Sequence, residues 1–158
     1  AQQDGTLQRN FQGYSTHGGC DLVGLGVSAI GSIGNIFAQN TTSTIEYETI
    51  LHDGRLPIQK GLEVDDDDLV RGDVIRQLMC FDRLDFAEFG ATHAIEFGDY
   101  FAPELASLAP LAEDGLVDIS DEGIRVTPRG RLLLRSIAMS FDRHLSSGVT
   151  DGRFSKAI

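Results

Sequence analysis

The sequence predicts an α+β protein in which strands and loops come first and helices follow. Residues 1–40 alternate short apolar runs with Gly, Ser, Thr and Asn, a composition typical of strands and loops. After residue 65, apolar residues recur at helical spacing, and two short alternating segments near residue 120 flank a turn. We therefore divide the chain into residues 1–62 and a mainly helical domain, residues 63–158.

Composition excludes several classes of function. The 158 residues suffice for one domain, or for a small domain plus part of a larger one. A formal charge of −11 opposes affinity for nucleic acid and for anionic membranes. No apolar run approaches the roughly 20 residues of a spanning helix. We expect a cytoplasmic protein without nucleic-acid or membrane partners. Because residue 1 is alanine and no signal-peptide pattern follows, we also expect the chain to begin inside a longer protein.

Two neighbouring segments near the start indicate the wall of a small-molecule site. Residues 9–16 combine an aromatic side chain, two amides and a glycine, and residues 21–31 form an apolar run in which glycine recurs. Glycine weakens packing in such a run and signals that a ligand or another backbone approaches closely. Neither segment contains an obvious catalytic group, so we expect one part of a larger site.

The same glycines also match a dinucleotide-binding fingerprint. Gly24-Leu25-Gly26-Val27-Ser28-Ala29 fits G-x-G-x-x-A, and Glu46 lies twenty residues beyond Gly26. That fold requires a second parallel strand ending in the acidic residue, but Glu46 falls inside a predicted helix. The fingerprint is therefore disfavoured.

Cysteine and histidine usage does not favour a metal site. Cys20 and Cys80 are too few for a disulfide framework, and their separation does not suit metal ligation. The four histidines form no HxH or HxxxH pair, and His17 is notable only because it lies beside the glycine-rich segment. We expect two reduced thiols and no metal ligands.

Helix signals begin in the middle of the chain. A short helix is predicted around Ile45 to Leu51, ended by Asp53-Gly54 and a turn through Leu56-Pro57. The acidic run Asp65 to Asp68 precedes an apolar stripe that extends to Met79, as expected for aspartates that cap a helix. A calcium or magnesium site is the alternative, but the glycine and the distal glutamate of an EF-hand are missing.

The last third predicts a winged-helix-like module. One helix carries leucines 105, 108 and 111, with Pro103 in its first turn and Gly115 as its stop. Segments 116–119 and 124–126 form a hairpin, and Thr127-Pro128 begins a final helix with Leu132, Leu133, Ile137, Phe141 and Leu145 on one face.

A winged helix raises the possibility of nucleic-acid recognition. Arg125, Arg129, Arg131 and Arg135 cluster near the hairpin, but four acidic residues stand in the same neighbourhood. Since recognition elements carry net positive charge, this interpretation is disfavoured. A stand-alone winged-helix-like module that binds protein or nucleic acid is kept as the alternative function.

Several motifs together resemble the carboxy-terminal part of the oxygen-independent coproporphyrinogen III oxidases, and the resemblance covers essentially all 158 positions. The motifs are Asn10-Phe11-Gln12-Gly13-Tyr14-Ser15-Thr16, Asp21 to Ile30, Asp114-Gly115-Leu116-Val117, Val126-Thr127, Gly130-Arg131-Leu132-Leu133, Met139-x-Phe141-Asp142 and Phe154-Ser155-Lys156-x-Ile158. A sister group of haem-handling radical proteins has a tryptophan-containing segment where this chain has residues 10–14. The resemblance implies a terminal piece of a partial β/α radical SAM barrel, followed by the helical domain.

The resemblance also implies a chemistry. Such enzymes use S-adenosylmethionine and a 4Fe-4S cluster, supplied with electrons by a donor, to generate a radical that abstracts hydrogen from two propionates of coproporphyrinogen III. Loss of carbon dioxide then leaves the vinyl groups of protoporphyrinogen IX. The cofactor carries the hard chemistry, while the protein binds and orients.

The chain departs from the family in its cysteines. It has no C-x-x-x-C-x-x-C loop, and Cys20 and Cys80 cannot replace one, so we expect a fragment that is inactive alone and monomeric. The resemblance assigns Phe11, Gln12 and Ile30 to S-adenosylmethionine binding, with Gly24 and Gly26 permitting close backbone approach. It assigns no catalytic and no metal-binding residue here. We further hypothesise that arginines beside the hairpin, Arg129 and Arg131 among them, meet substrate carboxylates.

Overall fold

The computed structural model describes residues 1–10 and 13–146 and mixes helices with strands, which confirms the α+β class. It divides into two compact units, one comprising Ala1 and Thr6–Leu69, the other Gln2–Gly5 and Val70–Ile158. These two units divide at residue 69, and the predicted domain boundary at residue 62 stays a prediction. Within the described residues, no helix is both long and apolar enough to cross a membrane.

The first unit contains two antiparallel sheets. Strands β1 (Gln8–Asn10) and β2 (Gly13–Ser15) form a hairpin. Strands β3 (Ile30–Ile33), β4 (Ile36–Asn40) and β5 (Ile58–Glu63) form a sheet in the order β3-β4-β5. Gly34 has φ +56° in the two-residue connection between β3 and β4, a conformation that favours glycine in tight hairpins. Residues 1–40 thus contain more strands than the sequence predicted, and strand β5 was not predicted.

The short predicted helix is confirmed as α1 (Thr44–His52). The Ser43 side chain accepts a hydrogen bond from the Glu46 amide, which satisfies one of the free donors at the start of the helix. Asp53 ends the helix, and Gly54 follows with φ +70°. Both ends therefore follow from local sequence.

The aspartate run caps α2 (Asp66–Phe81), as predicted. The Asp68 amide donates to Asp65 Oδ1 at 2.9 Å, and the Asp65 amide donates to Asp68 Oδ2 at 3.2 Å. This reciprocal pair is a capping box built from two aspartates.

The second unit places helices around a three-stranded antiparallel sheet. Strands β6 (Arg83–Asp85), β7 (Val117–Ile119) and β8 (Gly123–Val126) are ordered β6-β8-β7, so the predicted hairpin β7–β8 is confirmed and β6 is an addition. The helices between β6 and β7 are α3 (Phe86–His93), α4 (Phe97–Tyr100) and α5 (Ala102–Glu113). Pro103 lies in the first turn of α5, and Gly115 follows the helix with φ +68°, both as predicted.

The prediction of one continuous final helix is wrong. A 3-10 segment (Gly130–Leu133) precedes α6 (Leu134–Met139), and α7 (Arg143–Ser146) starts anew. The Phe141 and Asp142 amides bond carbonyls three residues back, which tightens and ends α6, while Asp142 Oδ1 accepts from the His144 amide. Leu132 is 88% exposed whereas Ile137 and Phe141 are fully buried, so these apolar residues do not share one face.

Four phenylalanines form the centre of the second unit's core. Phe89, Phe97, Phe101 and Phe141 are at most 1% exposed, and Phe97 lies 4.7 Å from Phe101 and 6.4 Å from Phe141 between ring centroids. Burying each ring contributes about 1.5–3 kcal/mol. This unit therefore has a core of its own.

Candidate functional site

The residues assigned to S-adenosylmethionine fall into two groups. Phe11 and Gln12 lie outside the described residues; their neighbours Asn10 and Gly13 pair across the β1–β2 hairpin. Gly24, Gly26 and Ile30 are described, and they lie close together in sequence and in space. The first two belong to the glycine loop, defined as residues 22–29, and Ile30 begins β3 directly after it.

The glycine loop folds back against β3. Leu22 and Ser32 exchange two backbone hydrogen bonds of 2.7 and 2.8 Å, which close the loop at its base. A Cβ added to Gly24 would lie 2.8 Å from the Ile30 carbonyl carbon, and one added to Gly31 would lie 2.6 Å from the Leu22 oxygen. The predicted close approach is therefore present, and at these two glycines the approaching group is the chain's own backbone.

Gly26 differs from its neighbours. Its φ of +105° is a conformation that side chains disfavour, and no atom lies within 4 Å of a Cβ built there. This is the open side of the glycine loop. Ligand access to the backbone at this position stays a prediction.

Polar groups from β4 and α1 hold the glycine loop. Asn40 Nδ2 donates to the carbonyls of Gly24 and Gly26 at 3.1 and 2.9 Å. The Gly26 amide donates to the Tyr47 hydroxyl at 3.0 Å, and the Ser28 amide donates to the Thr41 carbonyl at 2.8 Å. Sequence reasoning missed this clamp, although polar residues at the end of an apolar strand were the available signal.

The junction between β4 and α1 is itself tied together. Thr41 Oγ1 donates to Glu46 Oε2 at 2.8 Å and accepts from the Ser43 amide at 3.3 Å. Thr41 is 2% exposed, and Asn40 is 8% exposed. Buried polar residues of this kind are normally hydrogen-bonded, and here their partners fix a turn that supports the glycine loop.

The described part of this site fits an adenosyl-type ligand in its chemistry. Ile30 is a half-buried apolar side chain suited to packing against an adenine or ribose. The Leu25 and Val27 amides have no acceptor among residues 13–146, so they remain available to a polar group. The glycine loop thus combines an apolar contact with open backbone donors.

A 4Fe-4S cluster does not fit this chain. Cys20 is exposed, Cys80 is buried in the other unit, and the chain holds no third cysteine. Among the described residues no group of three His, Cys, Asp or Glu side chains is arranged to hold a metal ion.

The arginines beside the hairpin are partly committed to protein contacts. Arg131 forms an ion pair with Asp82 at 2.5 Å, and Arg129 donates to the Asp114 carbonyl at 3.5 Å. Arg125 stands opposite Arg83 and Asp118 in the sheet. The Arg131 side chain is 61% exposed, so its guanidinium remains within reach of a carboxylate.

A polar cluster in the second unit has a structural role. Asp73 Oδ2 lies 2.8 Å from His93 Nε2, Gln77 donates to the same oxygen at 3.3 Å, and Arg76 pairs with Oδ1. Burial by itself would raise the pKa of Asp73, but the hydrogen bonds from His93, Arg76 and Gln77 and the charge of Arg76 outweigh it and lower that pKa. The ionised carboxylate therefore joins α2 to α3.

Comparison with known proteins confirms the predicted resemblance. Residues 64–133 match the family described as the HemN C-terminal domain. All 158 residues align with the oxygen-independent coproporphyrinogen III oxidases of Pseudomonas aeruginosa, at 51% identity, and Escherichia coli, at 46%. Along its whole length the chain is therefore similar to oxygen-independent coproporphyrinogen III oxidases.

The solved structure reported as coproporphyrinogen III oxidase (HemN) from Escherichia coli, a radical SAM enzyme, has the same fold over the matched part. It superposes with a TM-score of 0.86 and 46% identity, covering 91% of this chain and 33% of the HemN chain. The chain spans about a third of the length of these two relatives, 34% of the Pseudomonas aeruginosa enzyme and 35% of the Escherichia coli enzyme.

Proposed function

We propose that this chain acts as the carboxy-terminal third of an oxygen-independent coproporphyrinogen III oxidase, which converts coproporphyrinogen III to protoporphyrinogen IX in haem biosynthesis. The observation that carries the proposal is 51% identity to such an enzyme along the whole chain. The similarity extends through both units, whereas the alternative of a stand-alone winged-helix-like module explains only the second unit.

The finer architecture follows the same proposal. The second unit would be the winged-helix-like domain, and its three-stranded sheet with a β7–β8 hairpin among helices supports this. The first unit would be the terminal piece of a partial β/α radical SAM barrel. Its described sheets are antiparallel and do not by themselves indicate a β/α barrel. The support for the barrel assignment is the similarity to the Escherichia coli radical SAM enzyme.

Residues of the first unit would bind the cofactor. Phe11, Gln12 and Ile30 would hold S-adenosylmethionine, with Gly24 and Gly26 shaping the backbone beside it. The bound cofactor and a 4Fe-4S cluster held outside these 158 residues would supply the radical chemistry. This chain's part is then to bind and orient. Porphyrinogen substrate and an electron donor complete the set of partners, and Arg129 and Arg131 would meet the propionates.

The experiment is to join this chain to the amino-terminal two-thirds of the Pseudomonas aeruginosa enzyme, in place of that enzyme's own matching third. We expect the joined protein to form protoporphyrinogen IX anaerobically when given S-adenosylmethionine and a reductant, and either part alone to be inactive. A joined protein that carries its cluster and is folded, but forms no product, would refute the proposal.

One side chain and a matched control test the assignment of Ile30. Ile30 and Ile33 lie in the same strand on opposite faces, and Ile33 is 56% exposed. Ile30→Asp should raise the KM for S-adenosylmethionine by about tenfold or more, because a charge replaces an apolar contact. Ile33→Asp should leave that KM unchanged.

A further inference from the structure

We infer that Asn40 is a positioning residue, which holds the glycine loop in the conformation that meets S-adenosylmethionine without contacting the cofactor itself. The inference rests on the proposed function. It concerns a residue on β4 that lies ten positions beyond Ile30 in the sequence.

One side chain reaches two carbonyls of the glycine loop. Asn40 Nδ2 donates to Gly24 O at 3.1 Å and to Gly26 O at 2.9 Å, which occupies both of its N–H groups. The backbone amide of Asn40 donates to Ala29 O at 3.0 Å. A single residue thus holds the glycine loop near its beginning, middle and end.

The glycine loop needs such support because one of its residues has an unfavourable backbone conformation. Ser28 has φ +60°, a left-handed conformation that is uncommon for a residue other than glycine. Conformations of this kind persist where the surroundings determine them. Asn40 is 8% exposed, so water competes little for the carbonyls that it serves.

The link to the cofactor runs through the backbone. Ile30 follows Ala29 directly, and the open amides of Leu25 and Val27 lie on either side of Gly26. Loss of the bonds at Gly24 and Gly26 therefore lets these amides change direction and loosens the entry into β3, where Ile30 begins. Both N–H groups of the Asn40 amide are already used within the protein, so its donors act on the glycine loop and not on a ligand.

Asn40→Asp is the sharpest variant because it keeps the shape of the side chain and removes its donors. The carboxylate would face the carbonyls of Gly24 and Gly26 with acceptor against acceptor. Asn35→Asp is the matched control: Asn35 lies in the connection between β3 and β4, and its side-chain amide donates to Glu63 Oε1 at 3.3 Å and Val64 O at 3.4 Å rather than to the glycine loop. Tyr47→Phe is a milder second variant, since it removes only the acceptor of the Gly26 amide.

Two measurements distinguish the effect of Asn40 on the glycine loop from its effect on cofactor binding. Hydrogen exchange in the chain itself reports on the clamp, and we expect Asn40→Asp to speed exchange of the Gly26 and Ser28 amides by about tenfold, with α1 unaffected. Isothermal titration of S-adenosylmethionine into the joined protein reports on positioning, and we expect the Kd to rise about tenfold. Tyr47→Phe should change both in the same direction by less, and Asn35→Asp should change neither.

Unchanged exchange in Asn40→Asp and Tyr47→Phe would refute the clamp. Faster exchange with an unchanged Kd would show that the clamp is structural only, and would overturn the positioning role. If the joined protein with the natural Asn40 does not bind S-adenosylmethionine, then the proposed function fails and the positioning role falls with it. That outcome differs from failure of the positioning role alone, because it is measured on the joined protein before any substitution is made.

Discussion

Among the described glycines, Gly130 is the one where an added methyl group should lower the free energy of unfolding the most. It is buried at the start of the 3-10 segment, and a Cβ built there would lie 1.9 Å from the Leu116 carbonyl oxygen and 3.1 Å from Val126 Cγ1. Ordinary contacts begin at 3.4 Å, so the carbonyl would have to retreat by about 1.5 Å. Leu116 directly precedes β7 and Val126 ends β8, so moving either residue would disturb the packing of the β7–β8 hairpin.

The magnitude follows from what the retreat would break. The Leu116 oxygen accepts from the Thr127 amide at 3.1 Å and from Thr127 Oγ1 at 3.2 Å. Each bond contributes about 1 kcal/mol, and overpacking a tight site adds about 1–3 kcal/mol. Gly130→Ala should therefore lower the free energy of unfolding by about 3–5 kcal/mol, which corresponds to roughly 10 °C in Tm.

The assay is urea and thermal unfolding followed by circular dichroism, with Gly72→Ala as the matched control. Gly72 lies in α2, is exposed, and has no atom within 4 Å of an added Cβ. The same substitution should stabilise there by about 0.5–1 kcal/mol, because alanine loses less backbone entropy in a helix. A loss below about 1 kcal/mol at Gly130 would refute the reasoning from steric contact.

Two further substitutions test the second unit. Phe97→Ala should cost about 3–5 kcal/mol in urea unfolding, because Phe97 is 1% exposed and packs on four other phenylalanines, while Phe97→Leu should cost clearly less; equal losses would contradict the packing account. Asp73→Asn should destabilise by about 1–3 kcal/mol near neutral pH. The folded-state pKa of Asp73 lies below its ordinary 3.8, so its contribution is present above that pH and is lost as the pH falls through the folded pKa. A penalty that does not decrease as the pH is lowered below 3.8 would contradict that assignment.

Elements with a local start signal and a long apolar period could be predicted from the sequence. The caps at Ser43 and Asp65 and the stop at Gly115 act within a few residues of the helix ends that they define. The β7–β8 hairpin was equally local, since its alternation and its turn lie within ten residues.

Elements that depend on distant partners could not be predicted. Every residue of β5 is exposed, and its sequence Ile58-Gln-Lys-Gly-Leu-Glu63 does not show the alternation of a half-buried strand; pairing with β4 makes it one. The prediction of one continuous final helix was wrong for a related reason. Its apolar spacing continued to Leu145, but the contact of Gly130 with Leu116 and the turn at Ser140 to Asp142 are set by packing and by local hydrogen bonds that periodicity does not register.

The glycines of the candidate site occupy two different structural environments. The recurring glycines predicted a close approach, which the structure shows at Gly24 and Gly31, but the sequence could not tell a ligand from the protein's own backbone. Gly24 and Gly31 are explained by their contacts with residues 22–31, and no cofactor is needed to account for them. Gly26 is different, because its side is open and its conformation is held from a distance by Asn40 and Tyr47. Under the proposed function, cofactor recognition by the described residues would depend mainly on Gly26 and Ile30, with Asn40 as the proposed positioning residue.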